Sequence, residues 1–214
     1  TQYKDVEPYI HKVDVVIFNF GNIDDIDPEA IIKVKQNSKA LVYVDVHRKP
    51  YGVDQDGHIY SRGWPNWEEY LGYADVVQMN RNECRALFQE NVSSISDFVD
   101  CARKVLDAGT GKVLITLGDK GVLAAQCLAP NQYQYALTPA ITCRVVDTTG
   151  CGDSFAAGYL VGTYENKPFS EAIKLGSLMA AINCEFVGYI KGINRKKIEE
   201  RKPLGFNLSR LDFS

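Results

Sequence analysis

A chain of 214 residues with 24 Lys and Arg against 27 Asp and Glu carries a formal net charge of −3, which leaves no basic excess for nucleic acid or an anionic membrane. At 45% hydrophobic and 24% charged residues, its composition is neither disordered nor fibrous and allows one substantial core. Six cysteines, at 84, 101, 127, 143, 151 and 184, and three histidines, at 11, 47 and 58, lack the close spacing of a zinc site and predict reduced thiols.

In chain order, V-D-V-V-I-F-N-F at 13–20 is rich in β-formers and ends at Gly21, predicting a first strand. Asp27, Pro28 and Glu29 then supply a cap and first turn for a short helix through Val34. The strand signal returns in A-L-V-Y-V-D-V at 40–46, A-D-V-V-Q-M-N at 74–80 and K-V-L-I-T-L-G at 112–118, with helical patterns at 66–71, 81–89 and 96–108. Such alternation predicts an α/β fold with parallel strands and crossover helices. Between 47 and 66 the chain is polar and rich in turn residues, and its D-Q-D-G-H predicts a small hairpin. The aromatic set Tyr51, Tyr60, Trp64 and Trp67 fits a substrate rim, a homodimer contact or packing against a helix.

Past Gly121, V-L-A-A-Q-C-L-A, Q-Y-Q-Y-A-L-T-P and C-R-V-V predict short antiparallel strands separated by A-P-N and P-A-I turns. Helices are expected over 151–164 and 169–184, and Arg195 to Lys202 reads as the mixed-charge face of a solvated helix. No run is long enough to cross a bilayer and no export signal is visible, so a soluble, cytoplasmic protein is expected.

The junction V-V-D-T-T-G-C-G-D-S-F at 145–155 carries the chemistry. Backbone N–H groups at the start of a helix lack internal partners, and Gly150 and Gly152 let a bulky anion approach them. Such a nest stabilises charge on a phosphoryl group in flight. Asp153 would repel a resting phosphate, but it suits the base that takes a proton from an attacking hydroxyl. Alternatively, it favours the helix end electrostatically while the glycines permit a tight turn. The stretch is no mononucleotide P-loop, because the Gly-Lys-Ser/Thr ending is missing.

Asp147, Thr148, Thr149, Gly150, Cys151, Gly152, Asp153, Ser154 and Phe155 closely resemble the D-T-x-G-A-G-D-x-F signature of the ribokinase-like carbohydrate kinases, also called the PfkB family. Cys151 stands where Ala is usual. The resemblance implies Asp153 as catalytic base and the Gly150, Cys151 and Gly152 backbone as anion hole. Asn80 and Glu83 are similar to the family's N-x-x-E, which arranges magnesium and the ATP phosphates largely through water; otherwise Asn80 caps a helix and Glu83 is solvated on it. I-T-L-G-D-K-G at 115–121 resembles the T-x-G-x-x-G nucleotide segment, placing Thr116, Gly118 and Gly121 by the phosphates and ribose, although a β-turn explains it equally well. Asn183 and Gly188 match the segment beside the adenine pocket, and an ordinary helix end is the alternative. Asp147 and Thr149 match positions that hold potassium in members needing it. Arg48, in the family's D-x-N-x-R strand end with His47 at the Asn place, matches a substrate contact or else a surface ion pair.

The resemblance covers residues 12–190 and implies a three-layer α/β/α fold with a largely parallel central sheet and short antiparallel strands, forming one partial kinase domain over 1–214. The family's N-terminal strand, G-G motif and β lid have no counterpart here, so a piece of a longer protein is expected, poorly active alone. The implied activity is transfer of the ATP γ-phosphoryl to a hydroxyl of a sugar or sugar-like molecule, with magnesium. A non-catalytic nucleotide-binding or assembly protein is the second expectation.

Overall fold

A computed structural model describes residues 1–188, 193–201 and 209–211. The elements in order are α1 (Tyr3–Val6), β1 (Val15–Asn19), α2 (Glu29–Asn37), β2 (Leu41–Asp45), β3 (Tyr51–Val53), β4 (Ile59–Ser61), α3 (Trp67–Leu71), β5 (Val76–Asn80), α4 (Arg81–Phe88), α5 (Ile95–Asp107), β6 (Lys112–Thr116), β7 (Val122–Ala129), β8 (Gln132–Thr138), α6 (Cys151–Tyr164), α7 (Phe169–Asn183), α8 (Arg195–Arg201) and β9 (Ser209–Leu211). Among the described residues seven strands form one sheet in the order β1-β2-β5-β6-β7-β8-β9, and β3 and β4 form a two-stranded sheet. This is the expected three-layer α/β fold with a mostly parallel central sheet and short antiparallel strands. The chain forms two compact units, one of Thr1–Ile115 with Ala125–Tyr135, the other of Thr116–Ala124 with the described residues from Ala136 onward.

In the first unit β1 and β2 are parallel with Asn19 opposite Asp45, and β2 and β5 are parallel with Asp45 opposite Gln78. Val42, Tyr43 and Val44 of β2, and Val76 and Val77 of β5, are fully buried, because parallel strands covered on both faces read as continuous apolar runs. Helix α5 begins at a capping box in which Asp97 N–H donates to Ser94 Oγ at 3.1 Å and Ser94 N–H donates to Asp97 Oδ2 at 2.8 Å. It buries Phe98, Cys101, Ala102 and Val105, the i, i+3, i+4, i+7 spacing of one helical face. The hairpin at D-Q-D-G-H forms as expected, with Asp54 Oδ1 accepting from Asp56 and His58 N–H at 3.0 and 2.8 Å. Of the aromatic set, Trp64 is buried between Phe20 and Tyr70, and Trp67 meets Phe88 edge-on at 5.3 Å. Trp64 therefore packs in the interior, Trp67 is half-buried and Tyr60 stays exposed.

In the second unit α6 and α7 lie so close that a methyl on Gly158 would sit 2.7 Å from the Leu175 carbonyl oxygen. One expectation fails here, since C-R-V-V at 143–146 is not a strand. Val145 and Val146 are 62% and 45% exposed, so their apolar side chains do not face a core. Instead the Val146 and Asp147 N–H groups both donate to the Cys184 carbonyl, at 2.7 and 3.2 Å. A β-branched pair predicts extended chain but not a sheet neighbour to pair with.

Candidate active site

The residues singled out in the sequence fall into two groups, one in each unit. In the first, polar side chains line up at the C-terminal ends of parallel strands, where open α/β sheets place their ligands. Asn19 ends β1, Asp45 ends β2 and Asn80 ends β5. Asn80 Oδ1 accepts from the Asn82 and Glu83 N–H groups at 2.8 and 3.0 Å, and Asn80 N–H donates to Glu83 Oε2 at 2.7 Å. A further bond joins Asn80 Nδ2 to Glu83 Oε1. The pair is thus a capping box for α4, and Glu83 is 6% exposed, not solvated on its helix. Asn80→Ala removes this cap and is expected to lower stability by about 1 kcal/mol, read as a shift in the urea midpoint at unchanged m-value.

His47, with φ of 40°, puts Nδ1 3.7 Å from Glu83 Oε1, and Arg48 is exposed beside it. Next to them runs a buried chain of which the sequence singled out only Asp45, the first position of D-x-N-x-R. Tyr43 Oη donates to Gln78 Oε1, and Gln78 Nε2 donates to Asp45 Oδ2 at 3.2 Å. Gln78 and Asp45 are 3% and 6% exposed. Asp45 directly opposite Gln78, with Tyr43 two positions back on the same face of β2, was the available signal, visible only once β2 is known to pair with β5.

In the second unit, Thr116 ends β6 and Gly118 opens a tight turn. Leu117 N–H donates to the Gly121 carbonyl at 2.7 Å, and Gly121 N–H donates to the Gly118 carbonyl at 3.0 Å. Both glycines have positive φ, 66° and 92°, a conformation that disfavours other residues.

The G-C-G-D stretch turns where the sequence predicts. Gly150, at φ 74°, precedes α6 in the left-handed region, and Cys151, Gly152 and Asp153 form its first turn. Gly152 and Asp153 are exposed. Of the predicted nest donors, Cys151 N–H donates to the Thr148 carbonyl at 3.2 Å, so it closes the turn in this conformation.

Asp147 Oδ1 accepts from Thr149 N–H at 2.9 Å and Oδ2 from Gly188 N–H at 3.4 Å. The Thr149 backbone, then its side chain, then Gly188 hold the Asp147 carboxyl below the usual carboxylate range, because each bond favours the charged form. Asn183 is 3% exposed and donates through Nδ2 to the Thr149 carbonyl at 2.8 Å and to Cys151 Sγ at 3.4 Å. Its donor therefore braces the G-C-G turn. Cys184, read in the sequence only as one of six dispersed thiols, supplies the carbonyl that anchors Val146 and Asp147 and brings Sγ to 2.8 Å from Cys151 Sγ.

Chemically, the second unit presents an exposed carboxylate in the first turn of a helix behind two glycines, braced by the buried Asn183 amide and the Cys184 carbonyl. Such a turn carries the positive end of a helix dipole and suits an anion in transfer. Among the described residues no helix is long and apolar enough to cross a membrane.

Residues 11–195 match the family model described as pfkB family carbohydrate kinase. An uncharacterized sugar kinase of Archaeoglobus fulgidus is 31% identical over 135 residues, 63% of this chain and 50% of that protein. Ribokinase of Haemophilus influenzae is 31% identical over 116 residues, 54% of this chain and 36% of that protein. The crystal structure of ribokinase from Thermotoga maritima superposes with a TM-score of 0.69 at 26% identity, over 90% of this chain and 58% of that one. The matched segment thus spans half or less of these two curated relatives' length.

Proposed function

This chain belongs to the pfkB family of carbohydrate kinases, and on that premise we propose that the whole protein transfers the ATP γ-phosphoryl to a hydroxyl of a sugar or sugar-like molecule in the cytoplasm. The observation that carries this reading is Asp153 in the exposed first turn of α6, directly after the left-handed Gly150. Asp153 takes the proton of the acceptor hydroxyl as its oxygen attacks phosphorus. The backbone around Gly150, Cys151 and Gly152 receives the charge of the transferring group, and fixed dipoles do this without reorganising during the reaction. Asn183 and the Cys184 carbonyl act one step back, holding the turn in place.

Asn80 and Glu83 would hold magnesium, which would neutralise phosphate charge there. Both Glu83 oxygens already accept bonds from Asn80, and a carboxylate has about four lone-pair sites, so the pair fits a metal held through water. Asp147, kept ionised by Thr149 and Gly188, fits a monovalent cation such as potassium on the same ground, with Thr149 beside it. Thr116, Gly118 and Gly121 are assigned to the nucleotide phosphates and ribose, Gly188 and Asn183 to the adenine side, and Arg48 to the acceptor.

The test is ADP formation by the complete gene product across a panel of sugars and nucleosides. Acceptor-dependent turnover with a sugar is the expected result. Nucleotide binding with no acceptor-dependent turnover would instead support a non-catalytic nucleotide-binding or assembly protein.

A further inference from the structure

Two thiols meet at the first turn of α6. Cys151 opens that helix and Cys184 follows the last residue of α7, and their sulfurs stand 2.8 Å apart across 33 residues of sequence. A disulfide needs about 2.05 Å, so closing the bond asks for less than 1 Å of travel. The main chains that carry the two sulfurs are already tied together. Cys184 accepts from Val146 and Asp147 N–H through its carbonyl, while Asn183 Nδ2 holds the Thr149 carbonyl at 2.8 Å. Both cysteines are partly exposed, which gives a small oxidant access.

We propose that Cys151 and Cys184 are a reversible redox modification site, joined by exchange with a disulfide oxidant of the glutathione class. The Cys151 thiolate attacks one oxidant sulfur, forming a mixed disulfide and releasing one thiolate. Cys184 gives its proton to water and attacks the Cys151 sulfur, releasing the second. Two protein thiols lose two electrons and two protons, and the oxidant, taking up both, becomes two thiols. Burial, followed by the neighbouring Cys151, pushes the Cys184 thiol up, which suits the resolving position rather than the first attack. Cys143 is the competing partner, since its thiol also hydrogen-bonds with Cys184 and is raised by burial.

The bond would draw Cys151 toward α7 and take its sulfur from the Asn183 contact at 3.4 Å. A 1 Å misplacement of a positioning element can cost about 100-fold in rate, so the smaller shift on oxidation is expected to lower turnover by about tenfold. Formation of the bond does not depend on the kinase reading; the fall in turnover rests on it.

The full-length protein is incubated with glutathione disulfide, free thiols are alkylated, and peptides are mapped without reduction. The expected result is a linked peptide pair containing Cys151 and Cys184, lost on adding dithiothreitol and absent from Cys184→Ala. Turnover falls with oxidant in the natural protein and not in that variant. Both cysteines recovered alkylated, or Cys184 linked to Cys143, overturns the proposal. Formation of the bond in a protein without kinase turnover supports the modification site and overturns the kinase reading alone.

Discussion

Asp153→Asn is expected to lower turnover of the complete protein by about 10²- to 10⁴-fold, the range for removing a positioned general base. The amide matches the carboxylate in size but cannot take the proton of the acceptor hydroxyl. Binding of nucleotide is expected to survive, so the loss falls on kcat and leaves KM nearly unchanged, as for an interaction made only in the transition state. The structure makes a second outcome meaningful. Asp153 lies in the first turn of α6, where a carboxylate also complements the helix dipole, an effect of about 0.3–1 kcal/mol. If turnover falls only a few-fold while Tm drops, Asp153 is a helix-end residue and the catalytic assignment is wrong.

Gly121→Ala should be the most damaging single methyl among the site residues. Its backbone has φ 92° and ψ −134°, a region open essentially to glycine alone. An added Cβ would lie 1.9 Å from the Thr138 carbonyl oxygen and 2.7 Å from Ala140 N. Both are backbone atoms, and no side chain can swing aside to relieve the clash. Strain and overpacking together are expected to cost about 3 kcal/mol or more, a large share of a typical domain's stability. Gly118→Ala is the matched control. Its φ is 66°, but the added methyl meets nothing within 4 Å, so only the left-handed penalty of about 1–2 kcal/mol remains. Urea unfolding of the two variants separates strain from collision. Equal destabilisation would show that the turn does not press on the chain at Thr138–Ala140.

Much of the fold was legible because its signals are local. The apolar run at 40–46 became β2, the helical pattern at 96–108 became α5, and D-Q-D-G-H made its hairpin. The turn at Gly150 was legible for the same reason, since a left-handed residue before a helix leaves its mark as glycine. The segment at 143–146 went the other way. Two valines raise β propensity, yet a strand exists only where a neighbour offers its edge, and here the N–H groups found the Cys184 carbonyl instead.

The candidate site divides along the same line. From residue types and spacing alone came a helix-opening glycine turn, an aspartate behind it, and strand ends that carry polar groups. Tertiary structure decided which of those groups are spent on one another. Asn183 turns its donor to the Thr149 carbonyl, whereas the cap that Glu83 closes with Asn80 is a local i, i+3 contact whose Asn80 half was already readable. Cys184 reaches Cys151 across the ends of two helices. Local preference acts over a turn or a few residues, so it can be read in one dimension. A hydrogen-bonding group away from water is satisfied by whatever packing brings near it, and for buried Asn183 and half-buried Cys184 the partners lie more than 30 positions away.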